Sequence, residues 1–64
     1  MENMRIYYDT IYGKVYCVER YDADNSESFY DMYGENGKYY GELHRSNLDG
    51  LTARDIENQI ELNR

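Results

Sequence analysis

Sixty-four residues with one cysteine, one histidine and a net charge of −6 exclude several kinds of protein at once. A chain this short makes one domain at most, residues 1–64, and buries only about 60% of its unfolded surface, so its core is thin. Cys17 and His44 alone can build neither an internal disulfide nor a Cys/His zinc site, which leaves close packing or self-association as the means of holding it together.

A lone cysteine fits a reduced, cytoplasmic setting. The opening MENMRIYYD has no basic region followed by an apolar stretch, and Glu2 stands where myristoylation needs glycine. No run approaches the roughly 20 apolar residues of a membrane helix, so a soluble protein is expected. The acid excess argues against direct contact with nucleic acid or anionic lipid and fits a basic protein surface instead. Acidic disordered chains have few aromatics, whereas here aromatics are 16% of residues and proline is absent.

From Met4 to Asp9 the chain alternates, with Met4, Ile6 and Tyr8 on one side and Arg5, Tyr7 and Asp9 on the other. That period of two predicts a half-buried strand. Thr10 to Gly13 reads as a four-residue hairpin loop, and Lys14 to Tyr21 as the second strand. In this register Asp9 faces Lys14, Tyr8 faces Val15, Tyr7 faces Tyr16 and Ile6 faces Cys17, giving a charge pair and an aromatic pair.

Asp22 to Ser28 is polar without periodicity and reads as a loop. Two further β-prone runs, Ser28–Glu35 and Lys38–Arg45, flank Asn36-Gly37, the sequence of a type I′ hairpin. That turn would pair Glu35 with Lys38, Tyr33 with Tyr40, Asp31 with Glu42 and Tyr30 with Leu43. One face then holds Tyr30, Met32, Tyr39 and Leu43, with Gly34 and Gly41 leaving room for a close neighbour. The other holds Phe29, Asp31, Tyr33, Tyr40, Glu42 and His44. The first reads as core and the second as an exposed, acidic and aromatic surface.

The C-terminal stretch LTARDIENQIELNR predicts one helix of about ten residues. Thr52 is its N-cap, Asp55 its third position, Leu51 a staple to Ile56, and Arg64 a complement to the dipole at its end. Ala53, Ile56 and Ile60 share a face, and so short a helix must pack on the sheet to persist. The expected fold is α+β: two antiparallel hairpins in a four-stranded sheet with a C-terminal helix on one face, in the order ββββα.

Asp22, Asp24 and Ser26 occupy the first, third and fifth positions of a calcium-loop pattern. Glu27 replaces the required glycine and Tyr33 the bidentate glutamate, so a solvated acidic loop is the better reading. Cys17 faces inward and His44 outward in the expected register, which separates the only candidate nucleophile and base. No cofactor is expected, and a thin core leaves little room for a deep substrate pocket. These residues point to a binding module rather than an enzyme.

The nine tyrosines exceed what a small core can bury, and tyrosine is favoured at interfaces because it is amphipathic and loses little entropy on ordering. The alternative is that tyrosine simply fills a sheet it suits. Carboxylates spread over a rigid sheet can copy the charge of a nucleic-acid backbone, with tyrosines as desolvated anchors. The candidate contact set is therefore Asp22, Asp24, Glu27, Asp31, Glu35 and Glu42, with Tyr33 and Tyr40 as anchors. In size and charge the chain resembles phage-encoded anti-CRISPR and anti-restriction inhibitors, which implies a target such as a nuclease or other nucleic-acid-binding protein. The competing expectation is a structural or regulatory module that forms a homodimer through sheet edges or tyrosine faces.

Overall fold

A computed structural model describes residues 5–64. Alternating patterns produce four strands, β1 (Tyr8–Thr10), β2 (Gly13–Asp22), β3 (Glu27–Gly34) and β4 (Tyr39–Leu43), followed by α1 (Ala53–Asn63). All strand pairs are antiparallel and the spatial order is β1-β2-β3-β4, so each strand pairs with its sequence neighbours. This is the expected ββββα arrangement. Among the described residues no helix is long and apolar enough to cross a membrane.

In the first hairpin Tyr8 faces Val15 and Asp9 faces Lys14, as the alternation predicts. An added pair, Thr10 with Gly13, shortens the link to Ile11-Tyr12. Thr10 Oγ1 locks it by donating to the Gly13 carbonyl (2.7 Å) and accepting from the Tyr12 N–H (3.0 Å). The strand expected over Met4–Asp9 starts only at Tyr8, and Met4 lies outside the described residues. Pairing with β2 ends there, so nothing holds Ile6 opposite Cys17 and it is 68% exposed.

Between β2 and β3 the expected Asp22–Ser28 loop contracts to Ala23–Ser26, closed by the pair Asp22 with Glu27. The Asp22 carboxylate accepts from the Asp24 N–H (3.0 Å) and from Asn25 Nδ2 (2.7 Å), the side-chain turn chemistry that aspartate favours. The register then runs without interruption from Asp22 with Glu27 to Val15 with Gly34.

The third hairpin departs from the type I′ expectation. Gly37 has positive φ (91°) but Asn36 does not. The Gly37 N–H donates to the Gly34 carbonyl (2.9 Å) and the Gly34 N–H to the Lys38 carbonyl (2.7 Å). The loop is thus Glu35-Asn36-Gly37, with Gly37 as its left-handed residue. This shifts the register by one, and Tyr33 faces Tyr39 instead of Tyr40. A second irregularity at Gly41 (φ 103°) absorbs the shift, so Asp31 with Glu42 and Tyr30 with Leu43 pair as expected. Between the two irregularities Tyr39 and Tyr40 exchange faces, because side chains alternate residue by residue.

The inner face meets α1. Among the described residues the buried hydrophobic side chains are Val15, Tyr30, Met32, Leu43, Leu51, Ile56 and Ile60, with Tyr8, Tyr12, Cys17, Tyr40 and Leu48 packed around them. Thr52 starts the helix with a capping box: its hydroxyl accepts from the Asp55 N–H and the Asp55 carboxylate from the Thr52 N–H, both at 3.1 Å. At the other end Arg64 is the C-cap, and its guanidinium pairs with Glu61 (3.2 Å). The helix lies against the two edge strands. The Ile11 N–H donates to Glu57 (2.8 Å), and Asn63 Nδ2 donates to the carbonyls of Tyr40 (3.3 Å) and Glu42 (3.0 Å). Gly34 and Gly41 do make room for neighbours. A Cβ at Gly34 would stand 3.1 Å from the Tyr40 ring, and one at Gly41 2.6 Å from Asn63 Nδ2.

Burial pushes the Cys17 thiol up from 9.0 to about 11. Burial also raises Tyr8 and Tyr30. All three shifts have one sign: the fold favours the neutral forms, a stabilisation fully present below the unfolded values and lost as pH rises through the folded ones. The melting temperature is therefore expected to stay level around neutrality and to fall between pH 9.0 and about 11. A level melting temperature across that window, with rapid thiol labelling at neutral pH, would show that Cys17 is not held by the core.

Candidate functional site: a banded outer sheet face

The face turned away from α1 is arranged in rows, set by the in-register pairs of β2 and β3. Along β3 the rows are Glu27 with Asp22, Phe29 with Arg20, Asp31 with Val18, and Tyr33 with Tyr16. On β4, Glu42 extends the Asp31 row and Tyr39 the Tyr33 row. Rows that carry carboxylates therefore alternate across the sheet with rows that carry aromatic rings.

The tyrosine band crosses the sheet from Tyr7, just ahead of β1, to Tyr39 on β4. Ring centroids are 5.6 Å apart for Tyr7 and Tyr16, 5.7 Å for Tyr16 and Tyr33, and 5.3 Å for Tyr33 and Tyr39. The first pair meets edge to face and the second is stacked, geometries that suit the charge distribution of aromatic rings. The outer ring, Tyr39, is 51% exposed. Arg5 lies over the Tyr16 ring, 4.2 Å from its centroid. In the neighbouring aromatic band His44 stacks on Phe29 at 5.0 Å, and its Nε2 lies 2.8 Å from a Glu42 oxygen.

Asp31 ties two bands together. It is only 3% exposed, accepts from Arg20 NH1 (2.6 Å) and accepts the Tyr39 hydroxyl (3.0 Å). Partial burial, and after it this hydrogen bond, raise the Tyr39 phenol above its ordinary value. A buried carboxylate with two partners is costly to strand by removing either one. Its charge is spent inside the protein.

Besides buried Asp31, the expected contact residues separate into three groups. Asp24 and Glu27 are exposed at the tip of the β2–β3 hairpin, beside Asp22, whose oxygens are engaged in the turn. Tyr33 lies within the tyrosine band, and Glu35 and Glu42, both exposed, border it. Tyr40 is displaced: it packs on the helix side with its ring 5.9 Å from Tyr12, and Tyr39 stands where it was expected. Strand spacing puts Glu27 and Glu35 about 27 Å apart along β3. The expected set omits Arg5, Tyr16, Arg20 and Tyr39. Tyr16 and Tyr33 meet only through the β2–β3 pairing, and no local pattern announces that.

Cys17 packs toward the core and His44 stacks on the outer face, so the two stand on opposite sides of the sheet. Among the described residues no group of three or more His, Cys, Asp or Glu is placed to hold a metal ion. The segment resembling a calcium loop runs from the end of β2 into β3, so its last seven residues are strand. A cleft of about 470 Å3 opens between β4 and α1, lined by Tyr12, Lys38, Tyr40, Ile60, Asn63 and Arg64 among others. Among the described residues no carboxylate, histidine or cysteine side chain lines it.

Fold and face together define a small α+β module with one helix-covered face and one open face of tyrosine and carboxylate. Compared with known protein families, with curated proteins and with solved structures, the chain finds no match.

Proposed function

We propose that this chain is a protein-binding module that inhibits its target by occupying a basic, nucleic-acid-binding surface, in the manner of anti-CRISPR and anti-restriction proteins. The observation that carries this reading is the alternation of acidic and tyrosine bands on the open sheet face. Rigidly held tyrosines provide contact area with little further loss of freedom, and flanking carboxylates match a cationic groove. The net charge of −6 adds long-range attraction to such a surface.

Self-association is the second reading. Its sheet-edge form is opposed on the β4 side, where Asn63 already occupies the Tyr40 and Glu42 carbonyls. Its tyrosine-face form predicts a melting temperature that climbs with protein concentration.

The test is capture of partners by the tagged protein with low-salt and high-salt washes. Recovery of a nucleic-acid-binding protein that high salt releases and DNA or RNA displaces supports the proposal. Recovery of the protein's own copies, held equally at both salts, overturns it. Reversing Glu35 and Glu42 to lysine is expected to weaken partner binding at least tenfold at low salt with little change in melting temperature. Asp31 is unsuitable for charge reversal, because a lysine there would be buried beside Arg20.

A further inference from the structure

The tyrosine band already holds one cation. Arg5 sits 4.2 Å from the Tyr16 ring centroid, well inside the distance at which a guanidinium is attracted to a ring face. Among the described residues Arg5, like Lys38, Arg45 and Arg54, forms no ion pair, whereas Lys14, Arg20 and Arg64 each have a carboxylate partner. Among the described residues its partner is the ring itself. The pattern recurs one band away, where Arg20 lies 5.8 Å from the Phe29 centroid while bonded to Asp31.

We infer that the tyrosine band is a guanidinium platform that takes an arginine side chain of the partner, and that Arg5 holds this platform in the free protein and is displaced on binding. The inference rests on the reading that this face docks a basic protein surface, and it adds which basic side chain is selected. A planar guanidinium stacks on an aromatic ring and can still donate to a carboxylate in its plane; a compact ammonium does the first poorly. Both elements are at hand. Tyr33 and Tyr39 continue the band beyond Tyr16, and Glu42 stands in the next row, about 7 Å along the strand.

The test uses the full chain and two blocked peptides of equal charge, Gly-Arg-Gly-Arg-Gly and Gly-Lys-Gly-Lys-Gly. Tyrosine ring resonances are followed by NMR, and tyrosine fluorescence serves as a second readout because the chain has no tryptophan. The arginine peptide is expected to bind about fivefold tighter than the lysine peptide and to shift the rings of Tyr16, Tyr33 and Tyr39. Arg5→Ala is expected to tighten arginine-peptide binding about threefold, since the resident competitor is gone. This residue is exposed, so its replacement leaves the core untouched.

Equal binding of both peptides overturns the inference while leaving the acidic docking face in place. No change, or a loss, on Arg5→Ala overturns displacement. Binding of single-stranded oligothymidylate at the same rings, in place of the peptide, overturns both this inference and the docking reading. Arginine selectivity combined with failure to capture a nucleic-acid-binding protein keeps the platform and rejects only the proposed target.

Discussion

Replacing Ile56 with alanine is expected to leave the protein largely unfolded in mild denaturant. Ile56 is fully buried and, with Ile60, is what α1 contributes to the core. A large-to-small change at such a site costs about 2–5 kcal/mol, lost transfer energy and a residual cavity together. A chain of 64 residues has only about 3–10 kcal/mol of stability in total. The helix is too short to persist once undocked, so its loss also exposes Leu51, Leu43 and Met32. The control is Leu62→Ala on the same helix: Leu62 is 78% exposed, and its change is expected to stay within about 0.5 kcal/mol. Urea unfolding followed by far-UV circular dichroism distinguishes the two. Similar midpoints for both variants would mean that α1 does not anchor the core.

The features legible in the sequence were those set by local chemistry. Thr52 and Asp55 define the helix start by hydrogen bonds three residues apart, and both bonds form. Alternation around Tyr8 and Val15 fixes the first hairpin, since slipping by one residue would turn Val15 out to solvent. What was not legible depends on choices nearly equal in energy. Asn-Gly suits a two-residue turn, and it equally suits a three-residue loop ending on glycine. A single residue between these options decides whether Tyr39 or Tyr40 joins Tyr33. The tyrosine band needs the β2–β3 register as well, which brings Tyr16 beside Tyr33 across a turn of four residues. The burial of Asp31 escaped for the same reason: its partner Arg20 is eleven positions away and reaches it diagonally across that pairing. Local patterns therefore foresaw an acidic, aromatic face, but its membership waited on register.

Gly41 is the residue on which that membership turns, and Gly41→Ala is expected to cost about 3 kcal/mol. Two separate effects contribute. The backbone there has φ of 103°, which side chains rarely tolerate, at a cost of about 1–3 kcal/mol. A Cβ would also lie 2.6 Å from Asn63 Nδ2, pushing that amide off the Tyr40 and Glu42 carbonyls. Each of those bonds is worth about 1 kcal/mol net. The contributions separate in a double-mutant cycle with Asn63→Ala. The alanine at position 41 should cost less in that background by about 2 kcal/mol, because the amide and both its bonds are already absent, while the backbone strain and the 3.2 Å approach to the Cβ of residue 63 remain. Strict additivity would show that Asn63 does not pack on Gly41. The consequence reaches the outer face too. Gly41 absorbs the register shift begun at the Gly37 turn, and without it either Tyr39 leaves Asp31 or Leu43 leaves the core. The near-UV dichroism of the tyrosine band should therefore weaken in Gly41→Ala even under conditions where far-UV dichroism shows the sheet intact. An unchanged tyrosine signal in a folded variant would mean that β4 can keep Tyr39 in the band by another route, and that the bulge is not what selects it.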